Sequence, residues 1–473
     1  MQISWLKCCQ CWTILWIKSV LVMNKARISW LMILTFSFGL LLAQEAPHYL
    51  ALSENPPLVP IEMRRPGYWI SRHASPDSIM MDAAAIKAFN TEVVRKGGVS
   101  QLADQPLFIS DKSLRKSLDE CFTMIRNNGK YDAQGNELDK SFWKELETTL
   151  NKGAIKPRNA SRYGFPIRYS NQRLAPYAGI IATSYLDNEF DYLQNSGYDI
   201  SEPLIIQHES ADGNWYFANG RTSMGWFLKE DIALMDWESW LRYQQSPDFI
   251  VTTRDKSDLY LDAARRDFWG LIRMGNRLPW VSETADCYEV LLPGNQGKTV
   301  FISKQDAHRG YLPYSARAVY ELGLGALNAP YGWGDLNAEY DCSGLVKQVY
   351  QCFGIYLPRN GAAQYSAGTA ISEFAAEDAP DQKEELIALS ALPAATLFRF
   401  PGHIMIYLGS VEGKSYILHA LWGIRIPPAE GEDKDQVIAV NRTVVSDLSL
   451  GQGSKRGSLL QRLTGFSQVL HAK

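Results

Sequence analysis

Three textures of hydrophobic and polar residues follow one another along the chain. From about residue 44 to 161, apolar positions recur at helical spacing. Ile79, Ala83, Ile86, Phe89 and Val93 share one stripe and predict a helix over 77–96. Leu114, Leu118, Cys121 and Ile125 share another, opened by Asp111 and stopped by Asn127-Asn128-Gly129. A third helix is predicted over 139–150. From about 162 to 304, short runs alternate with turn signals such as Ala211-Asp212-Gly213 and Asn219-Gly220, predicting strands over 204–207, 215–218, 222–228, 249–253, 287–292 and 299–303. The segment Gly294 to Thr299 has Leu292 where a phosphate loop needs its first glycine, and it joins two strands, so it reads as a hairpin turn. From about Tyr311 onward helices come first, over 314–324 and 341–353, then strands over 403–408, 415–420 and 436–440. The acidic, Ala-rich stretch 372–389 reads as a solvated insertion.

Composition narrows the picture. The 473 residues are 46% hydrophobic and 21% charged, with net charge -3, as in an ordinary globular protein. That excludes a protein-wide basic field for nucleic acid and an acidic disordered chain. Aromatics concentrate in the strand-rich middle, which suits small barrels with aromatic cores or faces. At the start, Lys25 and Arg27 precede an uncharged run over 28–44 with Ala43 as a small residue for cleavage. This is the signal-peptide pattern, and it is short for a span of about 20 residues. Translation is therefore expected to start at Met23, and the protein to be exported to the periplasm or cell exterior with no stable membrane anchor after cleavage. An uncleaved N-terminal anchor is the competing reading. Cys8, Cys9 and Cys11 belong to this leader. The remaining Cys121, Cys287, Cys342 and Cys352 are too few for a disulfide scaffold and lack zinc-finger spacing.

Candidate chemistry lies in the last third. Asp341 is a good N-cap, which places Cys342 in the first turn of a helix, where backbone N–H groups and the helix dipole favour a thiolate. The charge of Asp341 opposes that effect. Two histidines fall on consecutive strands. If the hairpin folds symmetrically about Val411, His403 and His419 stand directly opposite each other, with Cβ atoms about 4.5–5.5 Å apart. One imidazole then takes the thiol proton and the second orients the first. A zinc site built from Cys342 and the two histidines lacks an obvious fourth ligand. Cys352 reads as core.

Five strings carry a resemblance. They are Pro330-Tyr331-Gly332-Trp333-Gly334, Asp341-Cys342-Ser343-Gly344-Leu345-Val346, Leu357-Pro358-Arg359-Asn360, Gly402-His403-Ile404-Met405-Ile406-Tyr407-Leu408-Gly409 and Leu418-His419. Their order and spacing resemble NlpC-type cell-wall cysteine peptidases. The upstream layout is similar to a subgroup with a helical stabilising segment and two bacterial SH3-like barrels. The resemblance implies an α+β multidomain protein: leader 1–43, helical N-terminal segment 44–161, SH3-like barrels 162–240 and 241–308, and a papain-like α+β catalytic domain 309–473. It implies Cys342 as nucleophile, His403 as base, His419 as orienting group and Tyr331 beside the thiol, with Trp333 also counted among the substrate-binding residues. No metal and no cofactor are expected. The implied substrate is murein peptide or peptidoglycan, cut between γ-D-glutamate and diaminopimelate or lysine, with Asp341 and Ser343 contacting a free N-terminal L-Ala amine. A monomer without nucleic-acid partners is expected. Two departures stand out: Asp335 replaces a usual Gly, and Gly361 stands where relatives often have Ser. The competing function is a non-catalytic wall-binding protein with a degenerate peptidase domain.

Overall fold

Each of the three helices expected in the N-terminal segment begins at a side chain that accepts a hydrogen bond from its own first turn. In the computed structural model, Asp82 caps α1 (Ala83–Arg95), Ser110 caps α2 (Asp111–Asn128) and Asp139 caps α3 (Lys140–Thr149). The structure describes residues 59–471 except 186, 295, 296, 429 and 432, together with His48–Tyr49; the leader lies outside the described residues. Helix α1 starts later than its apolar stripe predicts. Asp77 instead pairs with Arg317 at 2.5 Å, and Ile79 is exposed. The stripe of α2 is fully used: Leu114, Leu118, Cys121 and Ile125 pack with Trp215, Phe217 and Trp226 of the β-region that follows.

That region is an antiparallel sheet in the order 232–235, 162–166, 204–209, 215–219, 224–228, 170–173, 194–198. A second sheet runs 268–273, 256–260, 299–303, 287–291, 277–283, 249–252, 307–309. Both are small antiparallel β-domains. The glycine-rich segment after Leu292 does join antiparallel partners, Leu291 facing Thr299. Helix α4 (Trp237–Gln244), between the two domains, was not expected; Asp236 caps it and Trp240 is buried, its indole N–H donating to the Gly164 carbonyl.

The C-terminal domain sets helices α5 (Ala316–Gly325), α6 (Cys342–Gln351), α7 (Gly361–Ala367) and α8 (Pro380–Ser390) around one antiparallel sheet. Its strands are β1 (Thr369–Glu373), β2 (Thr396–Phe400), β3 (His403–Val411), β4 (Lys414–Ile426), β5 (Gln436–Asp447) and β6 (Gly465–Gln468). Adjacent strands run β5-β4-β3-β2-β6-β1. One face carries Ile404, Ile406, Leu408, Leu418 and Val445, packed in one cluster with Val319 of α5 and Leu345, Val346 and Val349 of α6. Met405, Tyr407, Ile417 and Val444 point to the other face, where Ile387 of α8 covers them. The stretch 372–389 is therefore no solvated insertion. It completes β1 and forms α8, whose buried Lys383 ammonium donates to the Gln461 and Leu463 carbonyls at 3.1 Å. Among the described residues, no helix is long and apolar enough to cross a membrane.

Candidate active site

Cys342 is the first residue of α6, because the Asp341 side chain caps the helix by accepting from the Gly344 N–H at 2.7 Å. The cysteine is half-buried, whereas Cys121, Cys287 and Cys352 are buried, and all four are free thiols. Tyr331 lies against the same core margin as Cys342. Packing of α6 on β3 brings the Ile404 N–H, next to His403, to the thiol.

His403 follows a two-residue Pro401-Gly402 turn, with Gly402 at φ 88° and Phe400 facing His403 across the turn. Its Nε2 lies 2.8 Å from Nδ1 of the buried His419, and Nε2 of His419 lies 3.2 Å from the Ser446 hydroxyl. The two imidazoles do meet, but not in the expected register. The β3–β4 turn is tight: Val411 pairs with Lys414 around Glu412 and Gly413, both at positive φ. An extra residue, Leu408, then interrupts the ladder between the Tyr407–Ile417 and Gly409–Tyr416 pairs. The bulge carbonyl is satisfied by the Tyr320 hydroxyl at 2.8 Å. Beyond the bulge, Ile406 faces Leu418, so His403 and His419 are diagonal neighbours on one face rather than an opposed pair. Ser446 escaped sequence reasoning because β5 was expected to stop near 440, whereas it runs to Asp447.

These contacts permit two tautomer sets, because the Ser446 hydroxyl can donate or accept. In the set that serves a base, Ser446 accepts from His419 Nε2–H, His419 Nδ1 accepts from His403 Nε2–H, and His403 Nδ1 is left to take a proton. Burial, reinforced by the Asp341 charge, pushes the Cys342 thiol up to about 12. The helix start therefore does not leave this thiol with a lowered pKa. Burial, aided by Arg462, pulls His403 down to about 4, and burial with the neighbouring His403 holds His419 well below its ordinary value. At rest the thiol and both imidazoles are therefore neutral. A base of this kind is expected to stay active as pH drops below 6.5 and to fail only as pH approaches about 4, which a kcat/KM profile would read. Between those values the unfolded chain binds more protons than the folded one. Histidine-linked stability is thus complete above 6.5 and declines as pH falls towards 4.

Asp341 has a resident cation. Arg359 holds it with two hydrogen bonds, Nη2 to Oδ2 at 2.7 Å and Nη1 to Oδ1 at 3.1 Å, and Ser343 donates to Oδ1 at 2.9 Å. Burial works to raise this carboxyl, but the guanidinium and the hydrogen bonds outweigh it and hold the carboxyl below the usual range. Asp341 therefore has a cation within the protein and needs no substrate ammonium for charge balance, and Ser343 donates to the same carboxylate. Arg359 lies in the Leu357-Pro358-Arg359-Asn360 string, but no local pattern ties residue 359 to residue 341. Trp333 faces the first β-domain, with its ring 5.2 Å from Phe190 and 5.6 Å from Tyr192. Phe190 also meets Trp422 at 4.9 Å, and the Trp422 indole donates to Glu189. These residues give the barrel-to-catalytic-domain contact that the sequence could not place. Among the described residues, no group of three His, Cys, Asp or Glu side chains is arranged to hold a metal ion.

Comparison with known proteins agrees with this architecture. Residues 328–432 match the NlpC/P60 family, and residues 183–227 match an SH3 domain of the SH3b1 type. Over 131 residues the chain is 29% identical to the gamma-D-glutamyl-L-lysine dipeptidyl-peptidase of Bacillus cereus; the match spans 26% of this chain and 39% of that relative. Its fold is similar to that of an NlpC/P60 endopeptidase from Photobacterium damselae subsp. piscicida, with TM-score 0.69 and 20% identity over 87% of this chain and 98% of that one. An NlpC/P60 family protein from Bacillus cereus aligns at TM-score 0.48 and 17% identity over 65% of this chain and 99% of that one.

Proposed function

We propose that this chain, which carries an NlpC/P60 domain behind an SH3b domain, is an exported cysteine peptidase that hydrolyses the γ-D-glutamyl–diamino acid bond of murein peptides. The observation that carries the reading is the relay from His403 through His419 to Ser446, together with the backbone next to His403 meeting a thiol at the head of a helix. In this reading the Cys342 sulfur attacks the γ-carbonyl carbon of D-glutamate as His403 Nδ1 takes the thiol proton. His403 returns that proton to the departing amine of the diamino acid, leaving a thioester. Water, deprotonated by His403, then frees the carboxylate and restores the thiol.

Free peptides with an N-terminal L-Ala are the proposed substrates, selected by room rather than by charge. The contacts of Phe190 and Tyr192 with Trp333, and of Phe190 with Trp422, set the first β-domain against the catalytic domain, and this placement supports exclusion of a glycan-linked peptide. Mass spectrometry of products from a free murein tripeptide, a free pentapeptide and intact murein tests both parts. Cleavage of the free peptides at the γ-D-glutamyl bond is expected, with intact murein left uncut. A propionyl group in place of L-Ala keeps the shape and deletes the ammonium. It is expected to change kcat/KM by less than about threefold, below the roughly tenfold that accompanies loss of a charged hydrogen bond worth about 1.5 kcal/mol. A larger loss would show that the amine is read by charge, with Asp341 and Ser343 as its first candidates. Equal cleavage of intact murein would make the protein a wall-cutting endopeptidase. Binding to peptidoglycan with no product from any peptide would favour the wall-binding alternative.

A further inference from the structure

Asp335 is fully buried, and neither carboxylate oxygen has a hydrogen-bond partner in the protein. Three cations surround it instead: Arg359 at 3.3 Å, Arg273 at 3.6 Å and Lys347 at 3.9 Å. They come from three places. Arg359 is the residue that holds Asp341. Lys347 lies on α6, and Arg273 is the last residue of a strand in the second β-domain. The first β-domain reaches the same residue, because the Tyr169 hydroxyl donates to the Asp335 carbonyl and Gln194 donates to the adjacent Gly334 carbonyl at 3.0 Å.

The backbone here is held against its preference. Asp335, Asn337 and Ala338 are non-glycine residues at φ of 62°, 58° and 62°. The carboxylate fills the space left by a missing side chain on α6: a Cβ on Gly344 would lie 1.8 Å from Asp335 Oδ1. Gly344 is two residues past Cys342. The anion therefore touches the first turn of the cysteine helix and, through Arg359, the carboxylate that caps it.

We propose that Asp335 is a positioning residue: a buried anion that holds Arg359 on Asp341 and locks the start of the Cys342 helix to both β-domains. Arg273 is itself fixed by Asp199 through its backbone N–H at 3.0 Å and its Nε at 2.8 Å, with the Tyr169 and Tyr340 rings over the guanidinium. Arg273, Lys347 and Arg359 balance Asp199, Asp335 and Asp341, while burial pushes the neighbouring Glu202 carboxyl towards its neutral form. Removing Asp335 alone leaves an uncompensated buried cation; removing Lys347 with it restores the balance.

The proposal rests on the hydrolase reading, and the test separates the two. Asp335→Asn is expected to lower kcat on a free murein tetrapeptide by about tenfold to a hundredfold, the range for a displaced catalytic group, with KM moving less than about threefold. Asp335→Asn/Lys347→Met is expected to regain most of that loss. Asp335→Asn at wild-type kcat overturns the role, and so does a double variant as slow as the single. Thermal unfolding identifies a fold defect. If Asp335→Asn does not fold, the balanced double variant must fold and turn over, and its failure overturns the proposal. A wild type inert on every peptide fails the hydrolase reading alone. Alkylation of Cys342 by iodoacetamide needs no substrate and then carries the test. Loss of a buried anion should speed alkylation about threefold or more in Asp335→Asn, with return towards the wild-type rate in the double variant. An unchanged alkylation rate overturns the lock.

Discussion

Cys342→Ala should yield a folded protein with no detectable hydrolysis of murein peptides. Loss of the attacking atom removes the covalent route entirely, on the order of a millionfold in kcat. The substitution deletes one sulfur at a half-buried position, so thermal unfolding should stay close to wild type. Iodoacetamide should modify Cys342 before the other cysteines, but the reason is access rather than a low thiol pKa. Burial raises this thiol as it raises Cys121 and Cys352, yet among the cysteines of the described residues Cys342 alone is half-buried rather than buried. Product formation by the alanine variant at a rate near wild type would end the cysteine-peptidase reading.

The histidines should divide unequally. His403→Ala removes the proton acceptor and is expected to cost about 10²–10⁴ in kcat, the usual range for general acid–base catalysis. His419→Asn keeps an oxygen able to accept from His403 Nε2–H, so it should lose clearly less than His419→Ala, which leaves that donor without a partner. Initial rates for the three variants on one peptide decide the matter. If His419→Asn were as slow as His403→Ala, His419 would be moving a proton itself rather than orienting its neighbour.

The site's residue types were legible in the sequence, and its wiring was not. Alternation along two strands is enough to put His403 and His419 on sheet faces, and an aspartate before an apolar helical stripe is enough to place Cys342 at a helix start. Register depends on how the turn closes and whether a residue is left unpaired. Neither follows from residue spacing, so symmetry about Val411 put the two histidines opposite each other when they are diagonal. Arg359 and Asp335 reach their partners across the tertiary fold, where no periodicity points. In the β-domains, apolar strands such as Trp215–Asn219 and Met224–Leu228 were readable, although Phe268–Arg273 was not expected. Polar ones such as Lys256–Tyr260 and Gln194–Tyr198 were not, because the sheet surrounding them, not their own composition, holds them extended. The same holds for α8, whose acidic sequence hides the single buried stripe of Lys383 and Ile387.

The Leu408 bulge constrains how this hairpin can evolve. Deleting Leu408 would heal the ladder, and by the measure of local regularity the hairpin would improve. Yet a one-residue slip sends every side chain beyond it to the other face, so His403 and His419 would part. Selection therefore cannot smooth this strand: insertions and deletions are tolerable in the turn, while the count of residues between Tyr407 and Gly409 must stay fixed. Tyr320, which satisfies the bulge carbonyl from a different element, inherits the same constraint without taking any part in the chemistry.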